Sequence, residues 1–148
     1  MKNFKFAFSG IIEAVKYQRN MRIHLCFAFY VVIAGFVCRV SRVEWLALLL
    51  CIGLVMAAEL FNTAIESACD AVTREHSEPI RIAKDAAAGA VLVCAVFSAA
   101  VGLIVFLSHG RPALALRFAM EHKLAAGAVI FCLPFWILFI AKTRRSHK

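Results

Sequence analysis

Twenty-two consecutive residues, Ala86 to Leu107, carry no charged side chain. At about 1.5 Å per residue, a helix of that length covers roughly 33 Å, enough to cross the hydrocarbon core of a bilayer. Such a run leaves few architectures open, because in lipid every backbone N–H and C=O must find its partner within the protein. Three further apolar runs follow the same logic: Ile23 to about Val40, Val43 to about Ile65, and Leu124 to Ala141. Pro134 inside the last run predicts a kink. Composition agrees, since 63% of the residues are hydrophobic, mean hydropathy is +0.81, and thirteen Phe stand against three Pro and seven Gly. A disordered chain and a turn-rich β-fold are excluded. The expectation is an all-α membrane protein.

The formal net charge of +8 does not point to nucleic acid, because the basic residues sit in short segments between the apolar runs. Their distribution follows the positive-inside rule. Twelve Lys and Arg lie in the N-terminal segment, the 66–85 connection and the C-terminal tail. Only Arg39, Arg42, Arg111, Arg117 and Lys123 lie on the other side. Both termini are therefore expected in the cytoplasm. The N-terminal segment has no uninterrupted apolar centre before Ile23 and does not read as a signal peptide. At helical period Phe4, Phe8, Ile11, Ile12 and Val15 form one stripe, with Lys2, Lys5, Ser9, Glu13 and Lys16 opposite. This predicts an amphipathic helix in the membrane interface; a cytosolic helix packed on a partner is the alternative. The six cysteines form no CxxC pair and read as small apolar residues of packed helices, not as a disulfide or zinc framework.

Within the second run, Trp45 to Ala58 is free of charge, and then Glu59, Asn62, Thr63, Glu66 and Asp70 follow. Relative to Glu59, Asn62 lies at about −60°, Thr63 at +40°, Glu66 at −20° and Asp70 at +20° around a helix. Three carboxylates and an amide thus share one face over about 16 Å of axis. A carboxylate within a span costs about 2.5–3.5 kcal/mol on insertion scales, and three on one stripe repel unless cations or protons relieve them. Such a stripe predicts function. Glu66 and Asp70 could also be interfacial residues, but Glu59 has apolar residues on both sides.

Lys84-Asp85 precedes Ala86-Ala87-Ala88-Gly89. Asp85 is expected to cap the third span, and Lys84 beside a helix start is placed to hold phosphate oxygens; a snorkelling Lys beside an ordinary cap is the alternative. Carboxylates for Mg²⁺, a cation for phosphates and a base for a hydroxyl are the parts of a phosphoryl-transfer site. Neither GxxxxGK[ST] nor GxGxxG occurs, so the site has to be built from membrane helices.

The string ELFNTAIESACDAVTREHSEPIRIAKDAAAGAVLV, Glu59 to Val93, resembles the small prokaryotic diacylglycerol kinase/undecaprenol kinase family. Its E-x-x-N-T-A-I-E-x-x-x-D and K-D-x-x-A blocks stand at the family's separation, Asp70 to Lys84. The likeness runs from about Phe8 to Ser108, and from Glu44 onward is closer to the undecaprenol kinases. The resemblance implies ATP- and Mg²⁺-dependent phosphorylation of a lipid alcohol, undecaprenol or diacylglycerol, in a bacterial cytoplasmic membrane. Glu59 would be the base, positioned with Asn62. Glu66 would bind metal and Asp70 support the site. Lys84 with Asp85 would hold the nucleotide, and Glu75 and His76 would contact ATP. The family is a homotrimer with sites shared between subunits.

Two departures stand out. Where the family has a second metal-binding Glu, the stretch QRNMRIH puts Gln18, a neutral and weaker ligand for Mg²⁺. Glu13 is not expected to replace it, lying about 140° around a continuous helix. Residues 109–148 are also additional to the 1–108 kinase core. They read as a loop, a fourth span without an ionisable residue, and a basic tail. The expected fold is an interfacial helix, three family-type spans and this extra one. A small transporter or proton-relay subunit using the same acidic stripe, and an inactive family member acting as a scaffold, are the other readings.

Overall fold

The computed structural model describes residues 2–72 and 77–142. Among them the chain forms six helices and no strand: α1 (Lys2–Tyr17), α2 (Arg19–Val37), α3 (Arg42–Val72), α4 (Glu78–Leu107), α5 (Arg111–Glu121) and α6 (Lys123–Ala141). Helices α2, α3, α4 and α6 are long and apolar enough to cross a membrane. Many of their large side chains, among them Leu49, Leu54, Leu92, Phe97, Ile104 and Phe131, point outward. That arrangement suits lipid, whose tails are as apolar as leucine and exert no force to bury it.

The amphipathic α1 is helical as its stripe predicts. It ends at Tyr17 because Gln18 adopts an extended backbone, φ −93° and ψ 118°. Buried Ala14 and Met21 flank this elbow and seat it against the bundle.

The α2–α3 turn is tightly specified. Arg39 takes φ +50°, while Arg39 N–H bonds Phe36 O and Val40 N–H bonds Gly35 O. This is a Schellman end built on arginine where glycine is the usual choice. Ser41 then opens α3 with a capping box: its backbone N–H donates to Glu44 Oε2 at 2.8 Å, and Glu44 N–H donates to Ser41 Oγ at 3.4 Å. Trp45 packs so close to α2 that a Cβ on Gly35 would lie 2.6 Å from its ring, and its ring centroid is 4.9 Å from that of Phe36.

Helices α3 and α4 pair antiparallel, with Ser98 Oγ donating to Cys51 O at 3.4 Å. At the end away from Gln18, Cys38, Val40, Leu48 and Val105 form a small core packed against Trp45, Val101, Phe106 and Ala115. Arg111 locks this end. Its guanidinium is buried and holds Glu44 with both terminal nitrogens, at 2.9 and 2.7 Å, as well as Ser108 Oγ and the Val105 carbonyl. The segment after Leu107 is therefore not a plain loop. His109 and Gly110 turn the chain at positive φ, Pro112 near the first position favours a helix start, and α5 forms. Helix α6 continues through Pro134 as one element. It lies on α2, where Tyr30 O–H donates to Val129 O at 3.3 Å and the rings of Phe29 and Trp136 sit 5.5 Å apart. All six cysteines are free.

Candidate active site

Helix α3 carries the acidic stripe into the end of the bundle where α1, α2, α4 and α6 also meet. Glu59 is 1% exposed, although the apolar run leaves it no charged neighbour in sequence. Its neighbour comes from α2: His24 Nε2 lies 3.2 Å from Glu59 Oε1. Among the described residues, that oxygen and the equally buried Asn62 Oδ1 receive no directed hydrogen bond. Buried acceptors are ordinarily satisfied, so two orphans one turn apart mark a place for a donor such as a hydroxyl. Thr63 Oγ1 turns back to Glu59 O at 2.9 Å, so it does not fill that place.

One turn further along, Asn62 Nδ2 donates to Glu66 Oε1 at 3.0 Å, and Gln18 Nε2 lies 3.5 Å from Glu66 Oε2. Another turn on, Lys84 Nζ reaches Asp70 Oδ1 at 2.6 Å. Each carboxylate of the stripe thus has its own relief: an imidazole, two amides and an ammonium. Glu59, Asn62, Glu66, Asp70, Gln18 and Lys84 are brought together as the sequence suggests.

Two expectations need correcting. Asp85 does not cap a helix, and Lys84 does not sit at a helix start. Helix α4 begins at Glu78 with Ser77 before it and Pro79 near its first position, so both residues lie in its second turn. Arg81 makes this extension favourable by bridging Glu78 at 2.6 Å and Asp85 at 2.8 Å, partners three and four residues away on one face. At this position Lys84 can offer a phosphate its side chain but no free helix N–H groups. Glu13 lines the same cavity of about 1170 Å³ as Gln18, Thr63, Glu66 and Asp70. Glu75 and His76 lie outside the described residues. His24 is a functional candidate that sequence reading missed; its signal was an ionisable side chain within an apolar run.

A second cavity, of about 500 Å³, opens between α2, α3 and α4. Its walls are apolar (Phe27, Val31, Leu48, Val55, Leu103 and Phe106 among them), with His24 at one extremity. An apolar chamber thus reaches His24, the neighbour of Glu59, and the other, more polar chamber is lined by Thr63, Glu66 and Asp70 of the stripe.

The donors suit a hard divalent cation. Two cis ligands of an octahedral Mg²⁺ lie about 3 Å apart, given Mg–O distances near 2.1 Å. Gln18 stands beside Glu66 but turns its amide nitrogen, a donor and not a ligand, to it at 3.5 Å, so its side-chain oxygen would have to turn inward to meet a cation. Among the described residues no three His, Cys, Asp or Glu converge as a metal cage. Mg²⁺ ordinarily takes one or two protein ligands and fills the remainder with water and phosphate. Glu66 fits that role, and Gln18 fits it with its amide turned over.

Comparison with known proteins agrees with this geometry. Residues 5–106 match the model of the prokaryotic diacylglycerol kinase family. An undecaprenol kinase of Bacillus subtilis (strain 168) is 44% identical over 106 residues, covering 72% of this chain and 86% of that protein. A diacylglycerol kinase of Synechocystis (strain ATCC 27184 / PCC 6803 / Kazusa) is 40% identical over 101 residues, 68% of this chain and 58% of that protein. No solved structure matches the chain. Fold, site and similarity together define a membrane-embedded lipid kinase. The chain belongs to the prokaryotic diacylglycerol kinase family.

Proposed function

We propose that this protein transfers the γ-phosphoryl group of ATP to the hydroxyl of a membrane lipid alcohol, undecaprenol or diacylglycerol, at the cytoplasmic face of the bacterial inner membrane. The observation that carries this reading is the position of Glu59. It is buried beside His24, and His24 lines an apolar chamber able to take a lipid chain. Along the same helix face the polar chamber begins.

In this reading Glu59 accepts the proton of the lipid hydroxyl as that oxygen attacks the γ-phosphorus. The bond from phosphorus to the β–γ bridging oxygen breaks, and ADP leaves. Asn62 orients the hydroxyl through its unsatisfied Oδ1. Glu66 and Gln18 would hold Mg²⁺, which when bound supplies charge neutralisation for the phosphates. Lys84 would exchange its Asp70 contact for phosphate oxygens, and Asp85, Glu75 and His76 would complete nucleotide binding. Both termini face the cytoplasm, and the working unit is a homotrimer. The names of the two relatives support a lipid alcohol as acceptor.

The test is to incubate the purified protein with ATP, Mg²⁺ and each lipid in turn, and to identify products by mass. Phosphorylated lipid from one or both acceptors is expected. Absence of product from both, in protein shown to be folded, overturns the reading.

A further inference from the structure

We infer that Arg22 is a positioning residue that ties the C-terminal ends of α1 and α6 together and thereby holds Gln18 opposite Glu66. The fourth span then belongs to the scaffold of the metal site. The second half of this inference rests on the reading of Gln18 and Glu66 given above; the clamp itself does not.

Arg22 is 3% exposed. Its Nη1 donates to Lys16 O at 2.9 Å and its Nη2 to Ile140 O at 3.3 Å. The guanidinium carbon also stands 5.9 Å from the centre of the Phe139 ring. Both carbonyls belong to the last turn of their helices, α1 ending at Tyr17 and α6 at Ala141. The last four carbonyls of a helix lack internal partners, and that end carries partial negative charge. A planar guanidinium suits two such acceptors at once, whereas an ammonium is a single compact charge. Arg22 lies in the first turn of α2, where its own helix dipole disfavours a cation. Two converging C-terminal ends offset that disadvantage.

The geometry reaches the site through the elbow. Lys16 is held, Arg22 holds it, and Gln18 lies between them in extended backbone with its side chain 3.5 Å from Glu66. The contact closes a loop of seven residues, Lys16 to Arg22, around the proposed metal ligand. Because the second acceptor is on α6, this loop is braced by a helix outside the matched family region of residues 5–106.

The test uses the full chain in lipid nanodiscs and compares wild type, R22K and R22Q. Hydrogen exchange is expected to rise in R22Q over residues 14–20 and 138–142 together, and to stay unchanged over residues 55–66. R22K is expected to fall between the two, and it carries the same reading if R22Q does not fold. In the kinase assay, R22Q is expected to raise the Mg²⁺ concentration for half-maximal turnover by about tenfold with little change in kcat, the lower range for partners that orient metal ligands. Unchanged exchange, or a rise confined to one of the two ends, overturns the clamp. If wild type phosphorylates no lipid, the kinase reading fails while the exchange result still decides the clamp. A joint rise in exchange with an unmoved Mg²⁺ curve overturns the link to Gln18.

Discussion

Nε2 of His24 lies 3.2 Å from Oε1 of Glu59, joining α2 to α3 where both are sunk among apolar side chains. The contact gives the buried carboxylate a partner from outside its own helix. A leucine at position 24 would take that polar neighbour away from the buried carboxylate. His24→Leu is expected to lower kcat by about tenfold or more, while His24→Gln, which keeps a polar side chain, retains more activity. Steady-state kinetics with saturating ATP and lipid separate the two variants, and equal activity of His24→Leu and wild type would remove the histidine from the site.

Glu59→Gln keeps the shape of the side chain and removes its basicity. Loss of a positioned base costs about 10²–10⁴-fold, so phosphorylated lipid is expected to fall below about a hundredth of wild type while circular dichroism and gel-filtration profiles stay the same. Mass detection of product from matched amounts of protein checks this.

Gln18→Glu restores a charged oxygen donor 3.5 Å from Glu66. The Mg²⁺ concentration for half-maximal turnover is expected to fall. Glu13→Gln is expected to raise it, because Glu13 lines the same cavity. Turnover measured across a Mg²⁺ titration gives both answers, and flat responses in both variants would separate this end of the cavity from metal binding.

Gly35→Ala places a methyl group 2.6 Å from the Trp45 ring. Overpacking of this kind costs about 1–3 kcal/mol. The variant is expected to unfold at a lower temperature, with Trp45 fluorescence as the reporter, and to keep its Mg²⁺ dependence because the turn lies at the opposite end of the bundle from Gln18.

Arg111→Met removes the group that binds Glu44, Ser108 and the end of α4 to α5. Exchange of the backbone amides over residues 111–121 is expected to rise, and those over residues 59–66 to stay protected. Uniform exchange across the chain would indicate that Arg111 stabilises the whole bundle instead of this junction.

The spans and the stripe were legible in the sequence for one reason: charge is rare in lipid, so both its absence over Ala86 to Leu107 and its presence at Glu59 carry information. What periodicity could not supply was the partner on another helix. His24 gained its meaning only when α2 lay beside α3. Helix boundaries were misjudged where side chains, not hydropathy, decide them. The Arg81 bridges carry α4 back to Glu78 and leave Asp85 in a helix interior. The extended residue Gln18 ends α1 and redirects the chain into α2, a break that hydropathy did not mark. Helix α5 went unseen because its amphipathic run is short and its anchor, Glu44, lies 67 residues earlier. The Ser41–Glu44 box is a signature readable from sequence that marks the start of α3.

With α6 laid along α2 through Tyr30, Phe29 and Arg22, one flank of the bundle is already occupied from within the same polypeptide. The flanks of α3 and α4, by contrast, stay bare, with Leu49, Leu54, Leu92 and Phe97 uncovered. The extra helix thus acts as a built-in cladding, an apolar wall that shields one side of the first span from the surrounding lipid.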